Sequence, residues 1–171
     1  MITLRAPRKR ENATIIRLSD DIFGTGYIKP AEVNERYLIA RVGDTFAGFV
    51  NTDIWDEEDA TEQPSGYCLG LIETVAVHSD YRGLGLGTML VAAATAHLIQ
   101  DGVTVIECFA TTWSDSGICY LAGSLQRNGF QVKEHRLHAW KEDEQDYICR
   151  ACGTEPCLCD ATLYRREINT R

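Results

Sequence analysis

Apolar residues recur at two spacings along the chain, alternating in some runs and returning every three or four residues in others, and the two periods separate strands from helices. Ile2–Arg5 reads as a short strand, and 11–23 as a helix with Ile15, Leu18, Ile22 and Ile16, Ser19, Phe23 near one face, ended by Gly24 and Gly26. Tyr37–Val42 and 45–51 read as two strands joined at Gly43-Asp44, a short turn that tolerates positive φ. The stretch 55–66 is acidic and irregular, which predicts a loop. Leu69–Val77 is a strand, and 88–100 is a helix apolar nearly all round, ended by Gly102 and so covered by its neighbours. A strand at 103–111, a helix at 118–127, a long mixed strand at 130–140 and a last strand at 161–168 complete the pattern. No repeat, low-complexity tract or long linker divides the chain, so residues 1–171 are expected to form a single α/β (α+β) domain.

Composition narrows the class. A length of 171 residues with 44% apolar content allows one substantial core. No apolar run approaches the roughly 20 residues that span a bilayer, and Met1-Ile2-Thr3-Leu4-Arg5 lacks the apolar core of a signal peptide, so a soluble, cytoplasmic protein with no membrane partner is expected. A net charge of -8 disfavours a nucleic-acid partner held by phosphate contacts and suits a basic or amine partner better. The short basic runs Arg5, Arg8, Lys9, Arg10 and Arg165, Arg166 read as solvated faces.

The chemistry concentrates at Arg82-Gly83-Leu84-Gly85-Leu86-Gly87, set between an apolar strand and an apolar helix. A helix N-terminus exposes unpaired N–H donors and partial positive charge, so an anionic pyrophosphate placed against Gly85, Leu86, Gly87 and Thr88 needs few cationic side chains. Arg82 can add a charge-assisted contact. A dinucleotide fold uses a related loop, but here the run stands far from the N-terminus and follows Glu73-Thr74-Val75-Ala76-Val77-His78-Ser79-Asp80-Tyr81.

The run Val77-His78-Ser79-Asp80-Tyr81-Arg82-Gly83-Leu84-Gly85-Leu86-Gly87 resembles the acyl-CoA motif of the GNAT (GCN5-related N-acetyltransferase) superfamily, and the order of elements from Ile2 to the pair Gly129-Phe130 is similar to that family's. The resemblance implies a mixed, mostly antiparallel sheet flanked by helices and splayed at its central strands, with pantetheine in the split. Backbone groups of Val75 and Val77 would hold it. It also implies acetyl-CoA as cosubstrate, with Arg82, Gly83, Leu84, Gly85, Leu86, Gly87 and Thr88 around the phosphates, and transfer to a primary amine of a small molecule or a protein. A homodimer is compatible with that reading.

Attack on a thioester requires a neutral amine and hence a base. Glu73 is the first candidate, since family members that acetylate small polyamines carry a Glu at the similar position and burial would raise its pKa. His78 is the alternative. In the family a Tyr four residues before the Gly of the Gly-Phe pair often protonates the leaving thiolate, but Leu125 stands there. Tyr120 is the leading substitute, with Cys119 and Ser116 behind it, and a thiolate can also leave unaided. A non-catalytic acyl-CoA sensor or scaffold is the competing function.

Of seven cysteines, Cys149, Cys152, Cys157 and Cys159 crowd one segment, whereas Cys68, Cys108 and Cys119 read as small apolar residues. Cys149-Arg150-Ala151-Cys152-Gly153 has zinc-knuckle spacing, and Cys157-Leu158-Cys159 supplies two further thiolates for a closed structural site. Reduced thiols or local disulfides are the alternative. The expected module, at about 147–161, is not part of the family core and would pin a terminal hairpin beside the substrate groove.

Overall fold

A computed structural model describes residues 1–55, 68–142 and 146–168. The period-two segments become strands β1 (Ile2–Arg5), β2 (Tyr37–Val42), β3 (Thr45–Trp55), β4 (Leu69–Val77), β5 (Val105–Thr112), β6 (Gln131–Arg136) and β7 (Asp160–Glu167). They form one mixed sheet in the order β1-β2-β3-β4-β5-β7-β6, in which β4 and β5 run parallel and the other neighbours antiparallel. The helical periods become α1 (Asn12–Phe23), α2 (Leu86–Gln100) and α3 (Ala122–Arg127).

Alternation along β2 shows how the layers arise. Leu38 and Ala40 pack with Leu90, Val91, Ala94 and Leu98 of α2, while Tyr37 and Ile39 pack with Ile15 and Leu18 of α1. Successive side chains of a strand point to opposite faces, so α1 covers one face of the sheet and α2 with α3 the other. No helix among the described residues is long and apolar enough to cross a membrane.

Several expected boundaries move, each for a local reason. The helix expected over 118–127 is confined to Ala122–Arg127, because Gly117 at φ +66° turns the chain and donates its N–H to the Trp113 carbonyl at 2.7 Å. The strand expected over 130–140 stops at Arg136, with His138 at φ 47° in the turn that follows. β3 outruns its expected end at 51 because it pairs on to Trp55 against Leu69. α2 begins at Leu86, before the expected 88, and its coverage is one-sided, since Ala92, Ala96 and Ile99 are exposed. Alanine counts as apolar, but it is also the best helix former and needs no burial. The loop expected over 55–66 lies outside the described residues apart from Trp55, the last residue of β3.

Candidate active site

Two features of β4 open the centre of the sheet. Its parallel pairing with β5 covers only Leu69, Leu71 and the intervening Gly70, so residues 72–77 of that edge, Val75 and Val77 included, have no strand beside them among the described residues. On its other edge Asn51 of β3 pairs with Thr74 and Thr52 pairs with Ile72, which leaves Glu73 as an extra residue, a β-bulge. The bulge resets the alternation. Ile72, Val75 and Val77 pack on the α2 side, Ala76 on the α1 side, and Glu73 turns toward the α1 face.

Beyond β4 the chain makes a short 3₁₀ turn, Ser79–Tyr81, capped by His78, whose Nδ1 accepts the Asp80 N–H at 3.3 Å. Arg82 is drawn back by its Nε, which donates to the Val77 carbonyl at 3.3 Å. Gly83 and Gly85 then adopt φ of +79° and +78°, a left-handed conformation costly for any residue with a Cβ, and an added Cβ at either would meet nothing within 4 Å. The glycines therefore face open space, and Gly85 delivers the chain into α2, whose first N–H groups have no intrahelical acceptor. Gly87 serves packing instead, since a Cβ there would stand 3.1 Å from the Ser124 Oγ of α3. Thr88 Oγ1 shares a hydrogen bond with the same Ser124 Oγ at 3.3 Å and accepts from Arg127 Nη1 at 3.4 Å. Arg127 is a second cation at the loop that sequence reading did not single out, because only the packing of α3 on α2 brings it there. The open cradle and its two arginines fit a pyrophosphate.

Glu73 stands on the accessible α1 face, where Asn51 Nδ2 donates to its Oε2 at 2.5 Å. Partial burial of the carboxyl, followed by the negative charges of Asp53 and Glu32, pushes its pKa up against the pull of the Asn51 hydrogen bond. Tyr27 lies beside it, its hydroxyl 3.2 Å from Thr74 Oγ1. Burial pushes the Tyr27 phenol up against that hydrogen bond, and the Glu73 charge adds to the rise. Leu125, which occupies the position expected of a proton donor, is fully buried in the core, while its leading substitute Tyr120 is 65% exposed and precedes α3.

The cysteines converge. Between β6 and β7 the sulfur atoms of Cys149, Cys152, Cys157 and Cys159 all lie within 4.8 Å of one another. Cys149–Cys159 and Cys152–Cys157 are 3.8 Å apart and Cys152–Cys159 3.7 Å. A regular tetrahedron of thiolates at the usual Zn–S length of about 2.3 Å has edges of about 3.8 Å, so the cluster has the size of a zinc site. Gly153, at φ +68°, closes the knuckle by donating its N–H to the Cys149 carbonyl at 2.8 Å. Donors surround the sulfurs: the Leu158 N–H and Ser114 Oγ lie 3.2 and 3.1 Å from Cys152 Sγ, and the Ser114 N–H lies 3.4 Å from Cys159 Sγ. Outer donors of this kind stabilise thiolate ligands.

A sheet parted at its centre, with a glycine cradle at a helix N-terminus beside the gap, is an acyltransferase architecture. The model of the acetyltransferase (GNAT) family matches residues 8–117, and the chain belongs to that family. The fold is similar to that of Arabidopsis thaliana NAA60, solved in complex with a bisubstrate analogue (15% identity, 99% of this chain and 100% of that one, TM-score 0.72). It is also similar to yncA from Salmonella typhimurium, solved with its cofactor acetyl-CoA (14% identity, 99% and 95% covered, TM-score 0.69). A third similar structure is the ribosomal-protein-S18-alanine N-acetyltransferase from Escherichia coli (15% identity, 100% and 96% covered, TM-score 0.67). No match is found among curated protein sequences.

Proposed function

We propose that this chain is an N-acetyltransferase, one catalytic domain over residues 1–171, that moves an acetyl group from acetyl-CoA to a primary amine of a small molecule or a protein. The observation that carries the reading is the open cradle at Gly83 and Gly85, set at the mouth of the gap between β4 and β5. Acetyl-CoA supplies an activated thioester carbonyl. Gly85, Leu86, Gly87 and Thr88 present N–H groups to the pyrophosphate, with Gly83 and Leu84 shaping the loop and Arg82 adding charge. Backbone groups of Val75 and Val77 hold the pantetheine arm along the unpaired edge of β4.

Glu73, Asp53 and Glu32 make the α1 face electronegative, which suits a cationic acceptor. Glu73 takes a proton from the ammonium so that the neutral nitrogen can attack, and a carboxylate whose pKa is raised is a better base near neutral pH than an ordinary one. His78 is tied to its own turn as a cap. Tyr120, which is exposed, returns a proton to the departing sulfur only as an accessory, since a thiol is acidic enough to leave as thiolate. The thiolate cluster holds one structural zinc ion.

A non-catalytic acyl-CoA sensor has one observation in its favour, the buried Leu125 where a hydroxyl would aid departure. Two assays decide. Acetyl-CoA should raise the melting temperature of the wild-type protein and not that of Gly85→Glu, whose side chain fills the cradle with negative charge. A panel of amines and peptides, read by released CoA, should contain a turned-over acceptor. A shift that survives in Gly85→Glu overturns the cradle, and binding without turnover across the panel favours the sensor.

A further inference from the structure

We propose that the metal cluster is a clamp on the acceptor wall: it fixes segment 24–33 through a ring of aromatic contacts closed by Ser114 and thereby sets the shape of the face beside Glu73. The proposal rests on the reading of the cluster as a zinc site and of the Glu73 face as the acceptor face.

The ring can be followed residue by residue. Tyr147 packs against the cysteine cluster. It meets Tyr27 edge to face, with ring centroids 5.0 Å apart at 89°. Tyr27 stacks on Phe23 at 4.6 Å, and Phe23 on Trp113 at 5.9 Å. The next residue, Ser114, returns to the cluster through its contacts with Cys152 and Cys159. Aromatic pairs of these geometries contribute beyond their buried area.

The backbone joins at the same place. Arg150 donates its N–H to the Phe23 carbonyl at 2.9 Å. Gly24, at φ +127°, lies so close to the Ile148 carbonyl that any Cβ would collide with it, so the knuckle and the end of α1 touch main chain to main chain. Lys29 and Asp146 add a 2.5 Å ion pair, which is exposed and therefore contributes little. From this ring the Tyr27 hydroxyl reaches Thr74 at the bulge, next to Glu73.

Segment 24–33 contains no strand or α-helix, only the 3₁₀ turn Pro30–Glu32, so its shape depends on what it leans against. The knuckle cannot supply that support unaided, because a short excursion with four buried or half-buried cysteines has too little core to order itself, and in such modules metal-binding energy is folding energy. Removing the metal should thus loosen the wall beside Glu73 while leaving the cradle, on the opposite side of β4, intact.

Hydrogen exchange read by mass spectrometry tests this without a known acceptor. The purified protein should hold about one zinc per chain. Stripping with a strong chelator, or Cys149→Ser, should speed amide exchange across 24–33 at least tenfold while acetyl-CoA still protects 83–88. Tyr147→Ala should keep its zinc yet loosen 24–33 in the same way, and Tyr147→Phe should restore wild-type exchange. With an acceptor from the panel, Tyr147→Ala should raise the acceptor KM severalfold and leave the acetyl-CoA KM unchanged. Zinc present with unchanged exchange over 24–33 after stripping and in Tyr147→Ala overturns the clamp. Absence of zinc, or disulfides within the cluster, overturns the metal reading on which it rests, and absence of acetyl-CoA protection at 83–88 in untreated protein overturns the functional reading instead.

Discussion

Two glutamates of this fold, one at the corner by β1 and one on the central strand β4, show what separates a carboxylate committed to structure from one left available for chemistry. Glu11, at the corner between β1 and α1, is 8% exposed. It accepts from both Arg5 nitrogens at 2.8 and 2.7 Å, from Arg41 at 2.9 Å and from the Arg8 N–H at 2.7 Å. The Arg5 hydrogen bonds, against burial, together with the Arg8 N–H and the charges of Arg5 and Arg41, bring its pKa down to about 2. Among the described residues Glu73 has a single neutral donor, Asn51, and carboxylates for neighbours, and its pKa moves up. Every lone pair of Glu11 is committed to holding β1, β2 and the start of α1 together. The Glu73 carboxyl is left wanting a proton or a cation, the condition that its proposed role as a base requires.

The contrast yields graded expectations. The largest effect is Glu73→Gln, which keeps shape but cannot accept a proton. Turnover at neutral pH should fall by roughly a hundredfold to ten-thousandfold with acetyl-CoA affinity retained. Next comes Glu11→Gln, which strands two arginines and should destabilise the fold by about 2–3 kcal/mol, visible as a melting temperature lower by about 4–12 °C, with activity of the folded fraction unchanged. Because the folded pKa of Glu11 lies below its unfolded value, its contribution is present above about pH 4.5 and is lost as pH falls toward about 2; acid unfolding should shift to higher pH in Glu11→Gln. Glu73→Gln should leave stability within about 0.5 kcal/mol or raise it slightly, since the folded state disfavours the ionised form of Glu73. Smallest of all, Tyr120→Phe should cost far less than the roughly hundredfold that removal of an operating general acid costs, measured as kcat for CoA release.

Local signals made some of this visible in the sequence. The hydrophobic pattern located five of the seven strands nearly to their ends, and the cradle glycines could be read because both their conformation and their place before a helix are local properties. The cysteine spacing was equally legible. The bulge at Glu73 was not, because a register offset exists only once β3 and β4 have paired, and nothing in Ile72-Glu73-Thr74 marks it. Glu11 stood at the start of a helix with no sign of its role, since Arg5 and Arg41 reach it from two strands that meet only in the sheet. The shortened α3 follows from the Gly117 turn, which competes with helical periodicity over 118–121 and wins. The docking of the knuckle on the end of α1 was likewise a property of tertiary contact, not of spacing.

The most direct test of the division between the two carboxylates is the pH dependence of kcat/KM for CoA release, compared between wild type and Glu73→Gln on the best acceptor of the panel. In the wild type the acidic limb should follow a group above the ordinary carboxylate range, as the raised pKa of Glu73 requires. In Glu73→Gln that limb should vanish and the residual rate should climb about tenfold per pH unit, as free amine replaces the missing base. Superimposable profiles of similar height would contradict the account and return Glu73 to the structural role that Glu11 fills.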